Sequence, residues 1–384
     1  MKTVGMYRRA YPRVSETFIG EQAHNLQRYK PLFLTCKILK EIPFEGISIS
    51  NNDLWNIKQL FHVITASPNM FGNESELGSL KLIHGHFGPD GIYAMRLAEK
   101  LNIPFLVTFY GFDITVTRRS MWLSGNPALY QFLLHEEELK QKASKFIAFS
   151  SFLYKKMIEY GYPEDKIIKL NSGVDLEKFA SSASESKDER YILCVGRHTE
   201  KKGIDTLLKA FARIASKHPN VSLIQIGSGI MTEKLKSLAD ELGISNRVNF
   251  MGAKPYEVIQ KMMRGAEIFS LPSQTAKNGD SEGLPLSILE AAASSLPIVS
   301  TWHSAIPDAV LDGETGFLVD EKDDQALAEK LDILLSDRAL AKNMGIKGRE
   351  FICENFDIRK QTVKLEAIYD LVISKRELSK SISI

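Results

Sequence analysis

Short apolar runs recur along the chain at residues 3–6, 32–39, 82–86, 105–109, 146–149 and 167–170. They alternate with longer stretches at 16–27, 91–101 and 128–142, whose apolar residues return every three or four positions. Buried strands separated by amphipathic helices predict a parallel sheet with helices on its faces. A polar segment, SSASESKDER, interrupts the rhythm, which then restarts with runs at 191–195, 221–226, 248–251, 268–271 and 297–301. In the helix expected at 204–215, Ile204, Leu207, Leu208, Phe211, Ile214 and Ala215 share one face. The economical reading is α/β, with two successive doubly wound domains over residues 1–172 and 173–356 and a junction around 171–189. A last helix is expected at about 357–375, with Val363, Leu365, Ile368, Leu371 and Val372 on one broad face. Residues 41–80 mix Pro43, Gly46, the Asn51–Asn52 pair and Pro68 with few periodic positions, and no element is assigned there. No internal repeat of solenoid period is present.

Composition narrows the function without naming it. The 384 residues suffice for two domains of ordinary size, and the formal net charge of +2 argues against a nucleic-acid partner. Residues 1–175 are mildly basic, with 21 Lys/Arg against 17 Asp/Glu. Arg8, Arg9, Arg13, Lys155 and Lys156 could face anionic lipid or a phosphorylated acceptor, though a solvated surface is the commoner fate of such residues. Cys36, Cys194 and Cys353 lack paired spacing and read as buried thiols in a reducing compartment. No apolar stretch is long enough to span a bilayer, and the first strand begins without a signal core. A cytoplasmic protein is expected, with room for peripheral contact at the inner membrane.

Candidate chemistry concentrates in the second half. The strand at 191–195 runs into Gly196, Arg197 and then Lys202-Gly203, at the strand edge where open α/β sheets bind ligands. An arginine fork and a lysine point charge there suit a diphosphate, whereas Lys201 is expected to be solvated. Downstream, SEGLPLSILEAAA carries Glu282 in a loop and Glu290 on the second turn of a helix, with Ser281 as its expected cap and Pro285 in its first turn. Roughly 8 Å of helical rise separates the carboxylates, too far to share a proton or metal but suited to gripping two ends of an elongated polar ligand. Gly227-Ser228-Gly229 could bring backbone close to that ligand, but Thr232 breaks the full dinucleotide-binding glycine pattern. In the first half, Ser15 could cap a helix starting at Glu16, and His84 and His86 stand at a strand end. By spacing the two histidines are a conceivable metal pair, outweighed by structural or acceptor-side roles.

The order strand-GR-x4-KG, EGLP-x4-E, strand and DGETGFLV resembles the donor half of a family 4 glycosyltransferase of the GT-B fold, over most of residues 165–375. YPRVSETFI, HGHFGPDG, TFYGFD and NSGVDLEKF extend the likeness to the first half, most like bacterial exopolysaccharide and lipopolysaccharide enzymes of the colanic-acid type. The resemblance implies two Rossmann-like domains facing a cleft, the first binding acceptor and the second the nucleotide sugar, with a C-terminal helix, about 357–384, crossing back. It implies a retaining, metal-independent hexosyltransferase using a UDP- or GDP-hexose, with no further cofactor, and a lipid-linked or oligosaccharide acceptor. Arg197, Lys202 and Glu282 would serve catalysis. Gly283, Leu284, Glu290 and Gly227 would bind donor, while Ser15, Glu16, His86, Tyr110 and Asp113 would line the acceptor side. Tyr110 stands where many relatives carry His, which shifts expected sugar contact toward Asp113. A nucleotide-sugar epimerase or phosphorylase, and a non-catalytic sugar-nucleotide-binding subunit, remain alternatives.

Overall fold

The computed structural model describes residues 1–12, 16–39, 43–50, 57–71, 74–179 and 189–382. The chain divides into two compact units, Met1–Gly173 with Ile358–Ile384, and Val174–Asp357. In the first, strands β1 (Lys2–Tyr7), β2 (Ala10–Tyr11), β3 (Tyr29–Ile38), β4 (Gly46–Ser50), β5 (Leu80–His86), β6 (Phe105–Phe109), β7 (Lys145–Ala148) and β8 (Ile167–Lys169) form one sheet. Its order is β2-β3-β1-β5-β6-β7-β8, with β4 added on β3, and every pairing is parallel. The second holds β9 (Arg190–Val195), β10 (Val221–Ile226), β11 (Val248–Phe250), β12 (Ile268–Ser270), β13 (Ile298–Thr301) and β14 (Gly316–Val319) in the order β11-β10-β9-β12-β13-β14.

Both sheets are thus doubly wound, as the α/β reading predicts. In each, the chain builds outward from its first strand, returns, and continues on the other side. The reversal opens a crevice at the strand C-termini, between β1 and β5 in one unit and between β9 and β12 in the other. Near-continuous apolar strands are what such a sheet requires, since both faces are covered. Ile192, Leu193 and Cys194 of β9 are fully buried, as are Leu82 and Ile83 of β5. Burial pushes the Cys194 thiol up to about 12, and the Cys36 thiol likewise, so both behave as inert apolar groups.

Several local expectations need correction. The first helix is Thr17–His24, with Glu16 at its cap position and no side-chain cap; Ser15 lies outside the described residues. The helix expected at 91 begins at Gly88, because the Asp113 carboxylate accepts the Gly88 N–H at 2.9 Å. Ser281 does not cap the Leu286–Ala293 helix; Pro285 stands at that cap position. The last helix, Ile358–Ile382, continues past the periodic stretch that ends at 375 and fits the wider span of about 357–384. In the unassigned region a helix forms over Ile57–Thr65, and its apolar side is turned outward.

Gly203 shows how tightly the loop after β9 is fixed. Its φ is +60°, and a Cβ there would lie 1.9 Å from the Pro272 carbonyl oxygen. Since backbone cannot yield as a side-chain tip can, Gly203→Ala should destabilise the protein by on the order of 2–4 kcal/mol. The urea unfolding midpoint measures this, and an unchanged midpoint would mean that the loop accommodates a side chain.

Candidate active site

The second unit assembles its charges where the sheet reverses. β9 ends at Val195, and the Lys202 stem packs against the next residue, Gly196, where a Cβ would lie in ordinary contact 3.4 Å from Lys202 Cδ. From there the Lys202 ammonium reaches Glu282 Oε1 at 3.2 Å. Lys201, expected in solvent, is instead 9% exposed, with its ammonium 3.0 Å from Asp280 Oδ1 and 3.7 Å from Glu282 Oε1. Its partner Asp280 lies 79 positions away, beyond the reach of local pattern. Burial alone would raise the Glu282 carboxyl and lower the Lys201 ammonium. Lys202 and Lys201 outweigh burial at Glu282, leaving it at about 2, and Glu282 with Asp280 holds Lys201 above its ordinary value. Glu282 is therefore a fixed anion and a weak base. Arg197 is exposed and has no ion-pair partner among the described residues, though its charge is felt by Lys201.

The loop carrying Glu282 is held by its backbone. The Glu282 N–H donates to His303 Nε2 at 3.1 Å, which places the imidazole proton on Nδ1, where it donates to Glu321. Glu321 also accepts from the Thr275 N–H at 2.8 Å, and Ser304 Oγ donates to the Glu282 carbonyl. Gly283 is buried and Leu284 half-buried beside it. Glu290 lies on the second turn of its helix, as expected, and accepts from the Tyr256 hydroxyl at 2.9 Å. Ser287 Oγ ties this helix to the Val195 carbonyl at the end of β9. Gly227 has φ +145°, and a Cβ there would meet the Gly196 carbonyl oxygen at 2.0 Å. Its N–H donates to the Gly252 carbonyl, so the loops after β9, β10 and β11 are tied together. His198 adds a further tie, through Thr232 Oγ1 and Gln225 Oε1.

The same edge of the first unit is arranged differently. Arg8 forks onto Glu16 at 2.8 and 2.6 Å and donates to Asp90 at 2.6 Å, while Arg9 also bonds Asp90. Arg8 is 4% exposed and Asp90 fully buried, so these arginines are not the lipid- or phosphate-facing cations considered above. Two cations and two anions cancel, leaving no net charge for a phosphate. Burial would raise the Asp90 carboxyl, but Arg9 and Arg8 hold it below its ordinary value. Arg13 lies outside the described residues; Lys155 is exposed and Lys156 pairs with Glu159.

Asp113, expected as a sugar or acceptor contact, is fully buried and accepts from the backbone N–H groups of Gly88, Gly111 and Tyr110. Burial raises its carboxyl to about 6 against those bonds. It positions the loop that carries Tyr110. His84 has both ring nitrogens engaged, Nδ1 with the Tyr369 hydroxyl at 2.7 Å and Nε2 with Thr108 Oγ1 at 2.6 Å, so neither is free for a metal. His86 stacks on His84 and bonds the Tyr110 hydroxyl through Nδ1 at 2.7 Å. Phe87 follows with φ +75°, a region that bulky residues rarely occupy, beneath the Arg8 guanidinium at 4.4 Å.

Two family descriptions match consecutive parts of the sequence: Glycosyltransferase Family 4 over residues 36–178 and Glycosyl transferases group 1 over residues 176–351. The chain belongs to the family 4 glycosyltransferases. This family member is 29% identical to the colanic acid biosynthesis glycosyltransferase WcaL of Salmonella typhimurium, over 71% of its own length and 66% of the relative's. It is 34% identical to the amylovoran biosynthesis glycosyltransferase AmsK of Erwinia amylovora, over 63% of its length and 58% of the relative's. The chain thus spans between 58% and 66% of these curated relatives. Among solved structures, a glycosyltransferase from Rickettsia africae superposes with a TM-score of 0.76 at 18% identity, covering 97% of this chain and 98% of that one. HepE of Anabaena, crystallised with UDP and glucose, gives 0.75 at 17% identity over 96% and 100%. At such identities the likeness concerns the fold, which is GT-B.

The Glu282 cluster makes stability depend on pH with a definite sign. A carboxyl depressed from 4.5 to about 2 contributes stability that is present above pH 4.5 and lost as pH falls toward 2. Glu282→Gln removes that contribution and leaves the buried Lys201 and half-buried Lys202 ammonium groups facing an amide, for a loss of about 3 kcal/mol at neutral pH. Urea unfolding from pH 7 downward should show the gap between variant and parent narrowing below pH 4.5. A gap independent of pH would contradict the assignment.

Proposed function

We propose that the protein is a retaining, metal-independent hexosyltransferase that moves a sugar from a UDP- or GDP-linked donor to a lipid-linked or growing surface glycan. The observation that carries this reading is the pairing of a fixed Glu282 anion with Lys202, next to an exposed Arg197 that has no ion-pair partner among the described residues, at the reversal point of the second sheet. In this reading residues 173–356 bind donor and the first unit binds acceptor. The Arg197 fork and the Lys202 ammonium lie against the diphosphate and oppose the charge that grows on it as the glycosidic bond breaks. Because Lys202 also touches Glu282, one cation sets both the phosphate and the carboxylate that accepts from donor sugar hydroxyls. Backbone of Gly283 and Leu284 borders that sugar. Glu290, steadied by Tyr256, accepts from the ribose hydroxyls, and Gly227 lets backbone approach the nucleotide.

Neutralised by two ammonium groups, Glu282 is a poor nucleophile, which favours direct transfer with retention. The acceptor oxygen bonds to the anomeric carbon on the face that the diphosphate leaves. Its proton passes to a leaving phosphate oxygen, so no enzyme base is needed. The names of WcaL and AmsK support a surface-glycan acceptor. For the base, relatives point both ways: HepE was solved with UDP, and a Mycolicibacterium smegmatis relative is described as GDP-mannose-dependent.

Contact with a membrane has its own support. Ile57, Leu60, Phe61 and Ile64 are 86, 52, 50 and 49% exposed and follow the i, i+3, i+4, i+7 spacing of one helical face. Among the described residues no helix is long and apolar enough to cross a bilayer. This reading has the first unit resting on the cytoplasmic face of the membrane through that helix.

Three experiments follow. Arg197→Ala and Glu282→Ala should each lower transfer at least a hundredfold with the fold retained, and thermal shift should rank either UDP or GDP above ADP. Unchanged turnover in both variants would refute the site; nucleotide release without acceptor would favour an epimerase, and binding without transfer a non-catalytic subunit. The chain should also float with phosphatidylethanolamine–phosphatidylglycerol vesicles, and Leu60→Glu with Phe61→Glu should abolish flotation. A chain that never floats would remove the membrane reading.

A further inference from the structure

His303 and Glu321 stand two residues beyond the last paired positions of neighbouring strands, Thr301 of β13 and Val319 of β14, which lie in register. That register brings the His303 ring, 1% exposed, against Glu321, with Nδ1 2.5 Å from Oε1. The other ring nitrogen, Nε2, accepts the Glu282 N–H at 3.1 Å, and the next residue, Ser304, donates its hydroxyl to the Glu282 carbonyl. Consecutive residues thus hold both polar groups of the Glu282 backbone. Glu321 also accepts from the Thr275 N–H at 2.8 Å and the Thr275 hydroxyl at 3.1 Å, so it pins the start of the loop that leads to Glu282.

The polarity of the two neighbours fixes the proton. A backbone N–H can only donate and a carboxylate can only accept, so the ring that satisfies both is the neutral Nδ1–H tautomer. The Nε2–H tautomer would set two hydrogens against each other and leave the buried Glu282 N–H without an acceptor. Glu321 selects between them. Burial would raise its carboxyl, but the Thr275 N–H and His303 hold it below its ordinary value, so it stays an acceptor. The effect on Glu282 is geometric. His303 fixes the peptide plane before the residue and Ser304 the plane after it, and two fixed planes set the backbone angles from which the carboxylate projects toward Lys202. Because the peptide is trans, holding the Glu282 carbonyl on Ser304 turns the Gly283 N–H to the opposite side. That N–H and the one of Leu284 have no acceptor among the described residues.

We propose that His303 and Glu321 are positioning residues for the donor sugar: Glu321 keeps the His303 proton on Nδ1, and His303, with Ser304, aims the Glu282 carboxylate and the Gly283 N–H at that sugar. The sugar contact rests on the transferase reading above; the hydrogen-bond placement does not. In 15N spectra of histidine-labelled protein the His303 signal, assigned by its loss in His303→Gln, should show the Nδ1–H form, and hydrogen exchange should find the Glu282 amide protected. His303→Leu removes the acceptor but keeps the bulk, whereas His303→Gln puts an amide oxygen in its place. His303→Leu should therefore speed exchange of the Glu282 amide and lower kcat/KM for the nucleotide sugar about tenfold, the effect of one lost hydrogen bond, with affinity for the free nucleoside diphosphate unchanged. His303→Gln should recover most of both. Glu321→Leu, at a half-buried position, is the second variant; it should mix the His303 tautomers and lower kcat/KM in the same way. An Nε2–H ring in the parent, parental kcat/KM in His303→Leu or Glu321→Leu, or equal weakening of nucleoside diphosphate and nucleotide sugar would overturn the proposal. If the parent transfers no sugar from any donor, the transferase reading fails, while the spectra and the amide exchange still decide the hydrogen-bond placement.

Discussion

A carboxylate buried against two ammonium groups is the constraint on which the second unit depends. Glu282 cannot leave its charge unpaired inside the protein, and Lys201 and Lys202 cannot leave theirs. The loops after β9 and β12 are therefore locked to each other at the point where the sheet reverses. Glycine at 203 and 227 is the backbone condition for that lock, since a side chain at either would collide with a carbonyl oxygen. Arg197 is exposed on the rim with no ion-pair partner among the described residues, which suits it to an anionic ligand.

The two units share a winding but treat the corresponding edge in opposite ways. In the second, cations exceed what the local acids absorb once Arg197 is counted. In the first, Arg8 and Arg9 are fully absorbed by Glu16 and Asp90, and the remaining polarity is carried by neutral histidine, threonine and tyrosine. A charged edge suits a diphosphate and a neutral one suits hydroxyls. That contrast underlies the division into donor and acceptor units proposed here.

The alternating architecture was legible because a doubly wound sheet demands apolar strands covered on both faces, and such runs stand out without tertiary information. The Arg197–Lys202 loop and the Glu282–Glu290 spacing were legible for a similar reason: the residues lie close in sequence and on elements of known period. What pattern could not reach was pairing over distance. Lys201 reads as a surface lysine until Asp280 is brought beside it, and Arg8 reads as a surface arginine until Asp90, 82 positions on, meets it. One signal was available: the acid in HFGPD, just after a Gly-Pro helix start, is the type of residue a helix N-terminus favours, and it marks both the earlier start and the partner of Arg8. The helix Ile57–Thr65 is marked by the spacing of Ile57, Leu60, Phe61 and Ile64, a signal only nine residues long that went unassigned among the surrounding prolines and asparagines; its apolar residues face outward rather than into a core.

The most direct measurement is a crystal structure of the chain soaked with a nucleoside-diphosphate sugar. The diphosphate should lie within hydrogen-bonding reach of Arg197 and Lys202, with Lys202 still bridging to Glu282 and the hexose on the Glu282 side. Density for the diphosphate away from Arg197, or a hexose out of reach of Glu282, would contradict it.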